Sequence, residues 1–429
     1  MKLNKWTLGL AAAGIVTCPS LLLAADQQQQ PNSVLTALSS TTLSGYVDVS
    51  AQWNPGTGNA NPVPVTFNRN KQDGFNLNVV QLSLSKPLDE SEWAAGYNMD
   101  LWFGPDAKTL GTSSYLGLAN AASDFAIRQA YVSLRTPVGN GLDWKIGVFD
   151  TVVGYESLSS PNNPHYTHSY GFTLEPTTHT GVLTSYRVNE EVSFSLGVAN
   201  TVGPSINERA FGTPIPLALY GSPSIALPVG GNKAESYKTY MGSLAVTAPD
   251  SMGWLAGSTA YAGIVNGFNS ARYGNQGNYY AGLTMATPVT GLKAGASFDY
   301  LASPKNAYDW VTSLTTGIPT YVSIPDAWAL GLYGSFQATE KMTFLVRGEH
   351  LSANHDAGNI YALTATVQYD LWKNVLSRLE FRWDHAEHGM MFGGTPVNIS
   401  TLATAPNPLG ADPDRANAFM FAANVIYKF

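Results

Sequence analysis

Along most of the chain apolar and polar residues alternate with a period of two, the signature of a strand with one apolar and one polar face. At the C-terminus Phe419, Phe421, Ala423, Val425, Tyr427 and Phe429 share one face, while Met420, Ala422, Asn424, Ile426 and Lys428 share the other. The stretch from Arg378 to Asp384 alternates charge with Leu379, Phe381 and Trp383. Sixteen such segments follow one another: Thr42–Asn54, Gly74–Lys86, Trp93–Phe103, Phe125–Thr136, Leu142–Phe149, Thr178–Val188, Val192–Asn200, Tyr237–Ala248, Trp254–Val265, Asn278–Thr287, Lys293–Leu301, Ala327–Gln337, Met342–Leu351, Ile360–Leu371, Val375–His385 and Asn417–Phe429. The connections alternate in length. Turn-like links such as Pro87–Glu90, Pro137–Gly141, Asn189–Glu191, Pro249–Met252 and Trp372–Asn374 take every second place, and longer stretches fill the others. An even number of alternating strands with alternately short and long connections predicts an all-β fold, a transmembrane antiparallel up-and-down β-barrel. Short turns then face the periplasm and long loops the outside. A soluble sandwich has no reason to alternate its loop lengths around the whole chain.

Composition points the same way. Only 12% of the 429 residues are charged, against about 25% in soluble domains. The 44% hydrophobic content argues against disorder. One Cys excludes a disulfide framework, and a net charge of −7 leaves no basic surface for nucleic acid. The first 25 residues pair Lys2 and Lys5 with an apolar run from Trp6 to Leu23, ending at Ala24 and Ala25. They read as a Sec signal peptide, with a membrane anchor or a lipoprotein at Cys18 as alternatives. No further run of about 18 apolar residues follows, so helices do not span a membrane here. Residues 26–41 are expected to be a flexible periplasmic tail and 42–429 a single barrel.

The terminal Phe429, with Tyr427 before it, resembles the C-terminal signature of bacterial outer-membrane barrels, which implies recognition by the barrel-assembly machinery. A second likeness lies around the fifth and sixth segments: Gly147-Val148-Phe149-Asp150, Gly154-Tyr155-Glu156, the stretch SPNNPHYTHSYGF from Ser160 to Phe172, Glu175-Pro176 and Thr178-His179-Thr180-Gly181-Val182. This resembles the OmpL-like family of outer-membrane β-barrel porins of Gram-negative bacteria. Leu196-Gly197-Val198-Ala199-Asn200 is similar to the family's seventh-strand end, although Ala199 and the long loop after Asn200 depart from it. The resemblance implies a bacterial outer-membrane porin set in lipid.

Eight strands leave an interior that side chains fill, whereas sixteen leave a channel. Inward candidates are small and polar: Asp48, Ser50, Gln52, Gln81, Ser83, Ser85, Asn98, Asp100, Ser193, Ser195, Gly197, Thr364, Thr366 and Gln368. Water is therefore expected in the centre, and passive diffusion of small hydrophilic solutes or ions is the expected function. The alternatives are a structural or adhesive barrel plugged by its loops, and a conduit around a periplasmic partner. Alternation puts Arg347, Glu349, Arg378, Glu380, Arg382 and Asp384 in the lumen, because an Arg facing mid-bilayer lipid costs about 2–4 kcal/mol. They form either a transverse field or salt bridges that stiffen the wall. The third long loop, Asp150 to Pro176, is the candidate constriction. It carries Asp150, Glu156 and Glu175 with no Lys or Arg, and its acids are expected to oppose Arg347, Arg378 and Arg382. His165, His168 and His179 lack metal-ligand spacing, and no metal or cofactor is expected. His385 and His388 near Asp384, and His350 beside Glu349, are the only hints of an enzyme, and no nucleophile elbow accompanies them. Trp53, Trp93, Trp144, Trp254, Trp328, Trp372 and Trp383 fall near segment ends, as interfacial girdles require. Trp102 and Tyr333 are the inward aromatic candidates. A homo-oligomer is compatible with the pattern but not implied by it.

Overall fold

The structure, a computed structural model, describes residues 41–59, 71–112, 123–210, 215–216, 226–227, 237–269, 274–304, 307–309, 320–322, 326–353, 358–394 and 413–429. The expected signal peptide, and all of the expected tail except Thr41, lie outside the described residues.

Sixteen strands close into one antiparallel barrel in chain order. They are β1 (Thr42–Trp53), β2 (Gly74–Lys86), β3 (Ala94–Phe103), β4 (Phe125–Thr136), β5 (Leu142–Asp150), β6 (Thr178–Arg187), β7 (Val192–Ala199) and β8 (Thr239–Thr247), followed by β9 (Thr259–Asn269), β10 (Gly274–Ala286), β11 (Leu292–Ala302), β12 (Ala327–Gln337), β13 (Met342–Ala353), β14 (Asn359–Trp372), β15 (Val375–Ala386) and β16 (Asn417–Lys428). Strand β16 pairs with β1, which satisfies every edge and is what lipid demands of a sheet. Phe429 completes the seam by exchanging two backbone bonds with Gly45, at 2.9 and 3.0 Å.

The alternation read from the sequence is the alternation of the wall. On β16, Phe419, Phe421, Val425 and Tyr427 are 38–49% exposed, while Met420, Asn424 and Ile426 are at most 1% exposed. The ninth strand differs from expectation. It begins at Thr259 rather than Trp254, because Asp250–Leu255 winds into a 3₁₀ turn in which Gly253 takes φ 62°. Three register shifts also break the simple pattern, one of them beside the turn between β14 and β15. Opposite Asp48/Val49 the extra residue is Asn78, and opposite Asp100/Leu101 it is Arg128. Both are buried. A bulge re-aims a side chain in this way, and neither inward residue is visible to period-two reading.

The barrel interior is fuller than expected. Tyr46, Tyr131, Tyr261 and Tyr280 are buried along with Trp102 and Tyr333. With Val152, Val153 and Leu158 from the loop after β5, all of these but Tyr333 build apolar clusters inside the wall. The small polar candidates do face inward, but the expectation that they leave the whole centre to water is corrected here. Toward the long-loop rim, inward Ser50, Gln52, Asp384 and Ala418 are buried. Toward the short-turn rim Ser83, Ser85, Asn98, Lys145, Ser185, Thr284, Ser335 and Gln368 keep part of their surface open.

Candidate functional site

The loop between β5 and β6 turns inward and crosses the barrel. It contains one short helix, α2 (Tyr170–Leu174), so named after α1 (Pro105–Leu110) in the loop following β3. Prolines at 161 and 164 and the Asn-Asn pair between them hold the first half extended or in a 3₁₀ turn. Ser169 starts α2, its side chain accepting from the Phe172 amide, as N-cap serines do.

The charged residues of β13 and β15 hold this loop by its backbone. Glu380 accepts the amides of Tyr166 and Thr167 at 2.6 and 3.0 Å and the Thr167 hydroxyl at 2.6 Å. Glu349 accepts the Tyr170 amide at 2.6 Å, a carboxylate at a helix start. Asp384 accepts the Tyr170 hydroxyl at 2.8 Å. Arg347 donates to the Thr167 carbonyl at 2.8 Å, Arg382 to the His168 carbonyl at 3.2 Å, and Arg378 to the carbonyls of Ser160 and Asn163. Charge-assisted bonds of this type contribute about 1.5–3 kcal/mol each when buried.

The same residues also neutralise one another. Arg347 pairs with Glu349 at 2.8 Å, and Arg382 pairs with Glu349 at 3.0 Å and with Asp384 at 2.9 Å. One loop acid joins them: Glu156 meets Arg347 at 2.7 Å and also accepts from the Tyr333 hydroxyl at 3.2 Å. Burial pushes the Glu156 carboxyl up. Arg347, the His168 ring and the Ser169 amide outweigh that and hold it well below the usual carboxylate range.

The other two loop acids sit elsewhere. Asp150 ends β5 and pairs with the bulge residue Arg128 at 2.5 Å, which also pairs with Asp100 at 2.8 Å. Glu175 caps the C-terminal end of α2 and bonds to Asp299 of β11. Burial first, and the Asp299 carboxyl second, hold Glu175 well above the usual range. Of the three acids expected to oppose the basic wall, only Glu156 does so.

Sequence reading passed over several residues of this site. Tyr166 crosses to β1, its hydroxyl 2.9 Å from Ser50 Oγ and 3.2 Å from Gln52 Oε1. Burial pushes that phenol up to about 12. Lys71 lies 5.8 Å from the Tyr166 ring and pairs with Asp106 of α1 at 2.8 Å, so the three loops interlock at one cation. No periodic signal marks such contacts, because they join residues far apart in sequence.

The histidines separate. His165 Nδ1 lies 2.8 Å from Thr366, His168 meets Glu156 at 3.2 Å, and His179 meets Thr151 at 3.1 Å. Burial, then the nearby Arg347, pulls His165 well below its usual value, so its ring is neutral. Among the described residues no group of acids and histidines is placed to hold a metal ion. Wall alternation also divides the other candidate pairs. His350 stacks on Tyr361 outside the barrel while Glu349 bonds to arginines within it, and His385 bonds Asn417 on the outer face while Asp384 faces in.

The family described as "Putative beta-barrel porin-2, OmpL-like" matches residues 40–429 of this chain. No curated protein matches it. Among solved structures the fold is similar to the anion-selective porin from Comamonas acidovorans, with TM-score 0.55 and 11% identity over 91% of this chain and 99% of that one. It is similar also to OmpF of Salmonella typhi, with TM-score 0.54 and 10% identity over 91% and 97%. A third is the outer membrane channel DcaP of Acinetobacter baumannii, with TM-score 0.53 and 9% identity over 91% and 97%. At these identities the likeness is one of fold.

Proposed function

The chain belongs to the OmpL-like family of β-barrel porins and is a porin channel of the bacterial outer membrane; from that premise we propose that small hydrophilic solutes diffuse passively through it past a constriction formed by the third loop. Solutes enter the partly open short-turn half, which faces the periplasm, and the long loops face outward. The observation that carries this reading is the attachment of the loop backbone to buried charges of β13 and β15 on one side and to Ser50 and Gln52 of β1 on the other. An element so fixed has a defined edge, and a defined edge sets a size limit.

The wall charges then act first as anchors and second as a field. Among the described residues the cations Lys71, Arg128, Arg347 and Arg382 each pair with carboxylates. Asp48, Glu175, Asp299 and Glu380 form no ion pair with Lys or Arg there, and of the inward cations Arg378 and Lys145 form none with a carboxylate. The interior is on balance acidic, so cations should pass more readily than anions. Nothing in this arrangement calls for catalysis.

Liposome swelling with sugars of increasing size tests the reading. Swelling should be fastest with monosaccharides and fall as the sugar grows. Failure of every sugar with correctly folded protein would favour the second reading, a barrel plugged by its loops, which the apolar packing of Val152, Val153 and Leu158 supports.

A further inference from the structure

The third loop leaves the interior through a contact that its charged anchors do not explain. The Glu175 carboxyl lies against Gly154, at the other end of the loop, where no Cβ would fit. Asp299 of β11 lies in the same way against Gly171 of α2. The two carboxyl groups are near enough to act on each other, and a hydrogen bond is the arrangement that would let both stay buried. Ionised carboxylates are acceptors only, so that bond requires a proton. Asp299 is 3% exposed, and no N–H or O–H of the described residues donates to its Oδ2.

Among the described residues no Lys or Arg forms an ion pair with either carboxyl in place of the proton. Glu156 of the loop and Tyr280 of β10 face the pair; Tyr155 of the loop and Tyr261 of β9 neighbour Tyr280, Tyr333 of β12 bonds Glu156, and Asn278 of β10 donates to the Leu174 carbonyl at 2.6 Å. From β13 come Glu349, which accepts the Tyr170 amide, and Arg347, whose charge is already shared by Glu156 and Glu349.

We infer that Asp299 is a positioning residue for the constriction: it holds the C-terminal end of the third loop on β11 through a proton shared with Glu175, and the loop is released there when that proton leaves. Two carboxylates in contact cannot both ionise without strong repulsion. Glu175 is held above the usual carboxylate range by burial and by Asp299. A raised carboxyl stabilises the folded arrangement at low pH, and that contribution is lost as pH rises through the folded value. The contact is therefore closed in acid and open in alkali. This rests on the channel reading only for its effect on conductance.

Planar-bilayer recording tests it with Asp299→Asn and Asp299→Ala. Wild-type conductance should rise about twofold or more, since the loop edge sets the opening, between about pH 5 and about pH 9, the span around the raised carboxyl. Asp299→Asn should stay at the low value throughout, because its amide donates to ionised Glu175 without a titrating proton. Asp299→Ala should stay at the high value throughout. A wild type that conducts without pH dependence, or an Asn variant that rises as the wild type does, overturns the inference. Infrared spectra decide the proton independently of conduction: a buried protonated-carboxyl band at neutral pH should vanish in Asp299→Asn, and its persistence would likewise overturn the inference.

Discussion

Arg347 is where the most contacts of the third loop with the wall meet. It is 0% exposed and bonds Glu156, Glu349, the Thr167 carbonyl and Thr364. Arg347→Ala leaves buried Glu156 without its arginine and Glu349 with Arg382 alone, a change that costs about 3–5 kcal/mol. The loss should appear as cleavage of the third loop by protease and a lower unfolding temperature for the purified barrel. Glu156 sets the acid limit of the same contact. Its carboxyl is depressed, so its stabilisation is complete above the ordinary carboxylate range and disappears only as pH falls through the lower folded value. Loop protection should therefore persist at about pH 4, near an ordinary carboxyl pKa, and loss of protection there would contradict the pairing. At this scale the sequence was partly legible. Period-two alternation placed Arg347, Arg382 and Glu380 inward, because lipid rejects charge. It was blind to Asn78 and Arg128, which bulges turn inward out of phase. It also named only Trp102 and Tyr333 as inward aromatics and passed over Tyr46, Tyr131, Tyr261 and Tyr280, since alternation separates two faces without saying what fills the one that lipid does not touch.

Elements were read more securely than contacts. Fifteen of the sixteen strands start within four residues of where alternation puts them, because burial on one side and lipid on the other leaves a strong signal. The exception is β9, whose expected start fell on the 3₁₀ turn of Asp250–Leu255. There Trp254, 51% exposed, is a rim residue rather than a strand residue. The inward course of the third loop had no periodic signature. Its acidic composition suggested an opposing basic wall, yet the wall binds mostly its amides and carbonyls. Two predictions belong here. Glu380→Gln keeps an acceptor for the Tyr166 and Thr167 amides and should retain most of the loop's protease protection, whereas Glu380→Ala should lose it. Deleting Phe429 removes both bonds to Gly45 at the seam, and the truncated chain should yield less folded, heat-resistant barrel in the outer membrane than the full chain.

The whole molecule is a closed barrel crossed by one loop in its long-loop half, with a partly open short-turn half; on the proposed reading that loop narrows the channel and the interior is acidic. The low proportion of charge in the sequence matches that division: the outer band is apolar, and a large share of the acids and bases gather where the loop crosses. In a salt gradient the reversal potential should take the sign of cation preference, and the opposite sign would remove the electrostatic part of the account. The central claim, that the loop held at Glu156 and Arg347 sets the opening, is tested most directly by single-channel conductance of Glu156→Gln beside wild type. The account predicts a larger conductance and a weaker cation preference in the variant; unchanged conductance and selectivity would contradict it.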